Sequence, residues 1–106
     1  MSALRGILKE ELVRLSEAER SFKVAIAKLP KGSLQKKKIK GVSYFYLARR
    51  KGSRIVYEYL GNLEKADLKK LENEIGLRRR YERQLRNVRG KKEQLRRVVH
   101  GKRGAI

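Results

Sequence analysis

The chain has 106 residues, no cysteine, a single histidine and thirty Lys+Arg against eleven Asp+Glu, for a formal net charge of +19. That length favours one domain with a modest core; the missing cysteines exclude disulfides and thiolate metal sites, and no apolar run reaches the length of a membrane span. Self-repulsion on this scale costs stability and is tolerated when a polyanion neutralises it, so nucleic acid leads as the expected partner, ahead of an acidic protein or an anionic membrane surface.

The N-terminus, MSALRGILKEELVRL, carries Glu10 and Glu11 and no uninterrupted apolar stretch. It does not read as a signal peptide, and a cytoplasmic location is expected. Residues 2–29 read as a helix. Leu8, Leu12, Leu15, Phe22, Ile26 and Leu29 form a heptad seam, extended by Leu4, with Glu19 at the one skipped position. Ser2 is the expected cap. Pro30 ends the helix, because its ring cannot continue the hydrogen-bond ladder. Six Lys/Arg and four Glu nearly balance here.

Residues 31–61 change period from seven to two. SLQKKKIK, VSYFYLAR and SRIVYEYL are three strands, separated by Lys40-Gly41 and Lys51-Gly52 as short turns. This reads as an antiparallel meander. Gly61-Asn62 ends it, with Asn62 as the cap of the next helix. Residues 63–99 form that helix. Leu68, Leu71 and Ile75 make a short seam; Tyr81, Leu85, Val88, Leu95 and Val99 make a second after Gly76, where a bend or break is expected. Charge is placed unevenly along it. Residues 63–76 hold three Lys and four acids, whereas 77–103 hold twelve Lys/Arg and two Glu. The end of the chain, from His100 to Ile106, reads as a flexible tail, with His100 exposed.

Two-residue turns fix the strand pairing. Leu34 then faces Leu47, Gln35 faces Tyr46, Lys36 faces Phe45 and Lys37 faces Tyr44. Across the second turn Ala48 faces Ile55, Tyr46 faces Tyr57 and Tyr44 faces Tyr59, while Leu47 faces Val56 and Phe45 faces Glu58. One face is Leu34, Phe45, Leu47, Val56 and Leu60; the other holds four tyrosines with Ile55, Gln35 and Lys37. Two readings of the tyrosine face stay open. It is either an outward platform for nucleobases or a face packed on a helix with its hydroxyls at the rim. A one-residue slip would exchange the two faces.

The residues expected to meet a polyanion on the meander are Lys36, Lys37, Lys38, Lys40, Arg49, Arg50, Lys51 and Arg54, with Tyr44, Tyr46, Tyr57 and Tyr59 as rings. On the last helix they are Arg79, Arg83, Arg86 and Arg97, which lie off the apolar seam. The lysines of QKKKIK also have a purely structural use, since charge guards an edge strand against aggregation. A solvated helix face usually mixes in as many acids as bases, and residues 77–103 do not.

The pattern Y-x-Y-L-x-R-x-x-G-(x)4-Y-x-Y-L-G, from Tyr44 to Gly61, resembles a hairpin of small uncharacterised prokaryotic proteins, where LPKGSL, here residues 29–34, precedes it and charged helices flank it. Similar hairpins occur near the N-termini of some transposases. The meander followed by a helix is also similar in outline to the arm-binding domains of tyrosine recombinases, a likeness that implies DNA as the partner. The first resemblance covers residues 29–62 and implies no particular activity.

No catalytic constellation is visible. Catalysis needs a positioned nucleophile, base or metal, and the carboxylates sit mostly on amphipathic helices beside Lys or Arg. LPKGSL lacks the spacing of a phosphate loop. No enzyme activity, metal or cofactor is expected. The expectation is an α+β chain forming one domain over 1–106, with a long helix, a three-stranded meander and a long basic helix that returns antiparallel to the first. Its expected role is non-catalytic binding of DNA or RNA, which phosphate contacts do not distinguish. The alternatives are a coiled-coil adaptor docking on an acidic partner and a ribosome-associated RNA-binding protein. A helical pair this thin also leaves its seams to a partner chain, a second copy included.

Overall fold

Residues 2–100, without the side chain of Ser2, are described by the computed structural model. Five elements follow in chain order: α1 (Ser2–Ala27), β1 (Ser33–Ile39), β2 (Val42–Lys51), β3 (Arg54–Gly61) and α2 (Lys65–Val99). The fold is α+β, a three-stranded antiparallel sheet between two long helices in the sequence. The cap expected of Ser2 and residues 101–106 of the expected tail lie outside the described residues; His100, the first residue of that tail, is exposed. The chain divides into two compact units. One combines the residues up to Lys28 with those from Arg80 onward; the other is Leu29–Arg79.

In the helical unit, α1 and the second part of α2 run antiparallel. Arg5 Nη2 donates to the Val99 carbonyl at 3.5 Å, Lys92 Nζ donates to Glu19 at 2.8 Å, and the rings of Phe22 and Tyr81 lie 5.7 Å apart. Leu15, Ile26, Leu85 and Val99 are buried, all of them members of the expected seams. The first helix stops at Ala27, two residues short of the expected end. The residue before a proline is pushed out of the helical region, and the last turn tightens, with Lys28 N–H donating to the Ala25 carbonyl at 3.3 Å.

Glu19 and Lys92 both occupy seam positions. Lys92 fills the step of seven between Val88 and Leu95, as Glu19 does between Leu15 and Phe22. Their side chains are only 16% and 21% exposed. Arg89 Nε adds a second bond to Glu19 at 3.0 Å, and Lys23 lies at 3.9 Å. Hydrogen bonds from Lys92 and then Arg89 pull the Glu19 carboxyl from its ordinary 4.5 down to about 2, against a smaller opposing effect of burial. A depressed carboxyl contributes stability that is present above its unfolded value and lost as pH falls through the folded one. Melting temperatures of wild type and Glu19→Gln are therefore expected to differ at neutral pH and to converge between about pH 4.5 and about 2. A gap that stays constant over that window would rule out the ion pair as its source.

The second helix starts at Lys65, and Glu64 rather than Asn62 stands at its cap, its carbonyl accepting from Leu68 N–H at 2.9 Å. It runs unbroken through Gly76. A glycine costs a helix roughly 1 kcal/mol, and buried Ile75 and Leu85 on either side outweigh it. Asp67 in the first turn and Arg96 and Arg97 in the last complement the helix dipole.

In the sheet unit the strands lie in the order β1-β2-β3. Lys40 and Gly41 both have positive φ, 50° and 82°, as a type I′ turn requires. The register of β1 on β2 is the expected one: Leu34 faces Leu47, Gln35 faces Tyr46, Lys36 faces Phe45 and Lys37 faces Tyr44. The second turn departs from expectation. Its central residues are Gly52 and Ser53, since Lys51 pairs with Arg54, and Gly52 alone takes a positive φ, 66°. A type II′ turn needs that only at its first position, whereas a turn centred on Lys51-Gly52 would impose it on lysine too.

The pairing consequently moves by two residues. Ala48 faces Tyr57 rather than Ile55, Tyr46 faces Tyr59 rather than Tyr57, and Leu47 faces Glu58 rather than Val56. An irregularity between Phe45 and Tyr46 then sets Phe45 opposite Gly61 rather than Glu58, so the expected pairing of Tyr44 with Tyr59 is not formed. A shift of two keeps every side chain on its expected face. Phe45 and Leu47 are buried, as is Ile75 on the first part of α2; Leu34, Ile75 and Arg79 border one cleft. The aliphatic face is the inner one and the tyrosine face is open.

Candidate nucleic-acid interface

The sheet unit gathers the tyrosines on one side. Alternation along β2 puts Tyr44, Tyr46 and Arg50 on the same face, and the register adds Lys37 from β1 with Tyr57 and Tyr59 from β3. Tyr44 and Tyr46 are half-buried, whereas Tyr57 and Tyr59 are 60% and 58% exposed. The Tyr59 ring leans on Tyr46 at 5.2 Å and on Tyr44 at 6.4 Å, both tilted. An open groove of about 420 Å³ crosses this face, lined by Gln35, Lys36, Lys37, Tyr46 and Tyr57. Gln35 was not among the expected site residues; its register opposite Tyr46, legible in the sequence, marks it.

The remaining bases of the meander are exposed but distributed. Lys36 and Lys38 alternate with Lys37 along β1, and Lys40 sits in the turn. Arg49 belongs to the inner-face parity at the end of β2 and pairs with Glu58 at 3.2 Å. Lys51 and Arg54 flank the second turn. Arg79 is held locally, its Nη2 donating to the Gly32 carbonyl at 3.2 Å and to Ser33 Oγ at 3.0 Å. Those bonds tie the helix to the start of β1, which makes Arg79 a structural residue first.

In the helical unit, Arg83, Arg86, Gly90 and Arg97 recur at spacings of three, four and seven. Such spacing places them on one face of α2, all exposed and opposite the seam of Leu85, Val88 and Val99. Arg97 lies 3.5 Å from Glu93. Exposed ion pairs of this kind are weak and yield to a competing anion. Arg89 and Lys92, by contrast, are committed to Glu19. Part of the expected residues thus form two surfaces, one per unit, a tyrosine-centred sheet face and an arginine-lined helix face; Lys36, Lys38, Arg49 and Arg79 belong to neither.

Among the described residues no group of three His, Cys, Asp or Glu could hold a metal ion, and no helix is long and apolar enough to cross a membrane. Comparison with protein-family models, with curated proteins and with solved structures gave no match to this chain.

Proposed function

We propose that this is a non-catalytic nucleic-acid-binding protein that uses the basic meander and the arginine face of α2. The observation that carries the reading is where the charge lies. Of thirty Lys+Arg against eleven Asp+Glu, Lys36, Lys37 and Lys38 of β1 and Arg83 and Arg86 of α2 lie exposed on acid-poor surfaces, while Arg89 and Lys92 are bound to Glu19. Bases left in this arrangement repel one another until a polyanion arrives.

The test is a binding titration on duplex and single-stranded nucleic acid over a range of salt. Affinity should fall linearly on logarithmic axes, since each neutralised phosphate releases counterions. Arg83→Gln combined with Arg86→Gln should reduce the slope by about two. Lys9→Gln with Arg20→Gln, which removes the same charge from exposed sites of α1, should leave it unchanged. No binding at low salt, or equal effects of the two double variants, would contradict the helix footprint.

A second reading, a protein-interaction module, draws on the exposed apolar residues of α1, Ile7, Val13 and Val24. Substituting these three by serine would abolish association with a protein partner and leave the salt-dependent titration intact.

A further inference from the structure

We infer that the tyrosine face of the sheet takes single-stranded nucleic acid, with an unpaired base on the Tyr57 ring and an adjoining phosphate on Lys37. This rests on the nucleic-acid reading above and names the form of nucleic acid that this face accepts.

The rings on this face are not equivalent. Tyr44 and Tyr46 each lean on Tyr59. Tyr57 makes no ring pair among the described residues; it is 60% exposed and borders the groove with Tyr46, Gln35, Lys36 and Lys37. One ring therefore has its surface available on the face that also carries the Lys37 ammonium and the Gln35 amide. The sheet beneath is fixed, because Phe45 and Leu47 bury the opposite face. A rigid aromatic surface loses little freedom when a flat ligand settles on it.

The chemistry of the surface selects the ligand. Bases in a duplex are already stacked on their neighbours and offer only their edges, which are read by hydrogen-bonding side chains. Around this groove Gln35 is the one amide, and the dominant feature is an aromatic ring. Only an unpaired base has a ring face to give it, and such stacking tolerates any sequence. Lysine meets phosphate as a point charge rather than as a bidentate fork. The groove thus suits a single strand without strong sequence preference. The shared chemistry covers DNA and RNA, so both belong in the test.

The test uses the full chain, with fluorescence anisotropy on oligothymidine, on oligouridine and on a duplex, for wild type, Tyr57→Ala and Tyr57→Phe. Circular dichroism checks that each variant is folded. Tyr57→Ala is expected to weaken single-strand binding about 5- to 150-fold, with duplex binding unchanged, and Tyr57→Phe to retain most of it. A loss on oligothymidine alone, or on oligouridine alone, supports the inference and assigns the strand as DNA or RNA. Unchanged single-strand binding in Tyr57→Ala overturns it, and so does an equal loss on strand and duplex, which would make the ring a mere support for phosphate contacts. In both of those cases the salt-dependent binding of the wild type survives. Wild type that binds none of the three probes at low salt removes the underlying reading as well. A self-association that Tyr57→Ala abolishes, with oligonucleotide affinity unaltered, assigns the face to a second copy and also overturns the inference.

Discussion

Phe45→Ala and Leu47→Ala are expected to destabilise the sheet unit by about 3–5 and 2–5 kcal/mol, while Tyr57→Ala shifts stability by no more than about 0.5 kcal/mol. All three positions lie on the same small sheet: Phe45 and Leu47 share β2 and its inner face, and Tyr57 lies on the adjacent strand and the opposite face. Phe45 and Leu47 are 7% and 6% exposed, so their truncation leaves a cavity under the aliphatic face. Tyr57 is mostly in solvent already, and its removal leaves no void. Urea unfolding followed by circular dichroism checks the contrast. A Tyr57→Ala midpoint as low as that of Leu47→Ala would mean that the tyrosines, not the aliphatic residues, form the core.

Gly32→Ala is expected to be comparably damaging, for a different reason. Gly32 precedes β1 with φ of 132°, and a Cβ there would lie 2.5 Å from the Ala48 carbonyl oxygen and 3.1 Å from the Leu47 side chain. The backbone conformation alone costs an alanine roughly 1–3 kcal/mol, and relieving the collision adds about 1–3 kcal/mol. Gly90→Ala has the opposite expected sign. Nothing lies within 4 Å of the added methyl, and alanine suits a helix interior better by roughly 0.5–1 kcal/mol. Thermal melts of the two variants should therefore move in opposite directions. A Gly32→Ala protein as stable as wild type would show that the β1 entry relaxes freely.

The order and type of all five elements were legible in the sequence, because each rests on a long periodic signal. Heptad spacing marked Leu15, Ile26, Leu85 and Val99, and alternation marked Phe45 and Leu47. The β1–β2 register followed from Lys40-Gly41. The β2–β3 register did not follow from Lys51-Gly52, since one glycine serves either as the second residue of a type I′ turn or as the first of a type II′ turn. Choosing between them depends on whether a lysine accepts positive φ, which Lys40 does and Lys51 does not. The irregularity at Phe45/Tyr46 carries no sequence signature of its own. The candidate site is legible as a set of residues but not as a surface: the same alternating pattern fits either face inward. In sequence Lys92 reads as one more base in a basic helix, although its place in the heptad, matched by Glu19 in α1, is visible.

That pair bears on which helices this chain will accept as neighbours. Sliding α2 by one heptad along α1 would leave Glu19 against an aliphatic residue and Lys92 against another, two half-buried charges without partners, which is far costlier than the bond they now make. A parallel in-register pair of two α1 helices would set Glu19 beside Glu19, and two copies of the 80–99 segment would set Lys92 beside Lys92. Like charges at a seam position repel and disfavour such dimers. The acid in one helix and the base in the other thus act as a pairing code: each helix disfavours a parallel, in-register copy of itself and favours the other in one alignment. Glu19→Lys, which would face Arg89 and Lys92 with a like charge, abolishes the code.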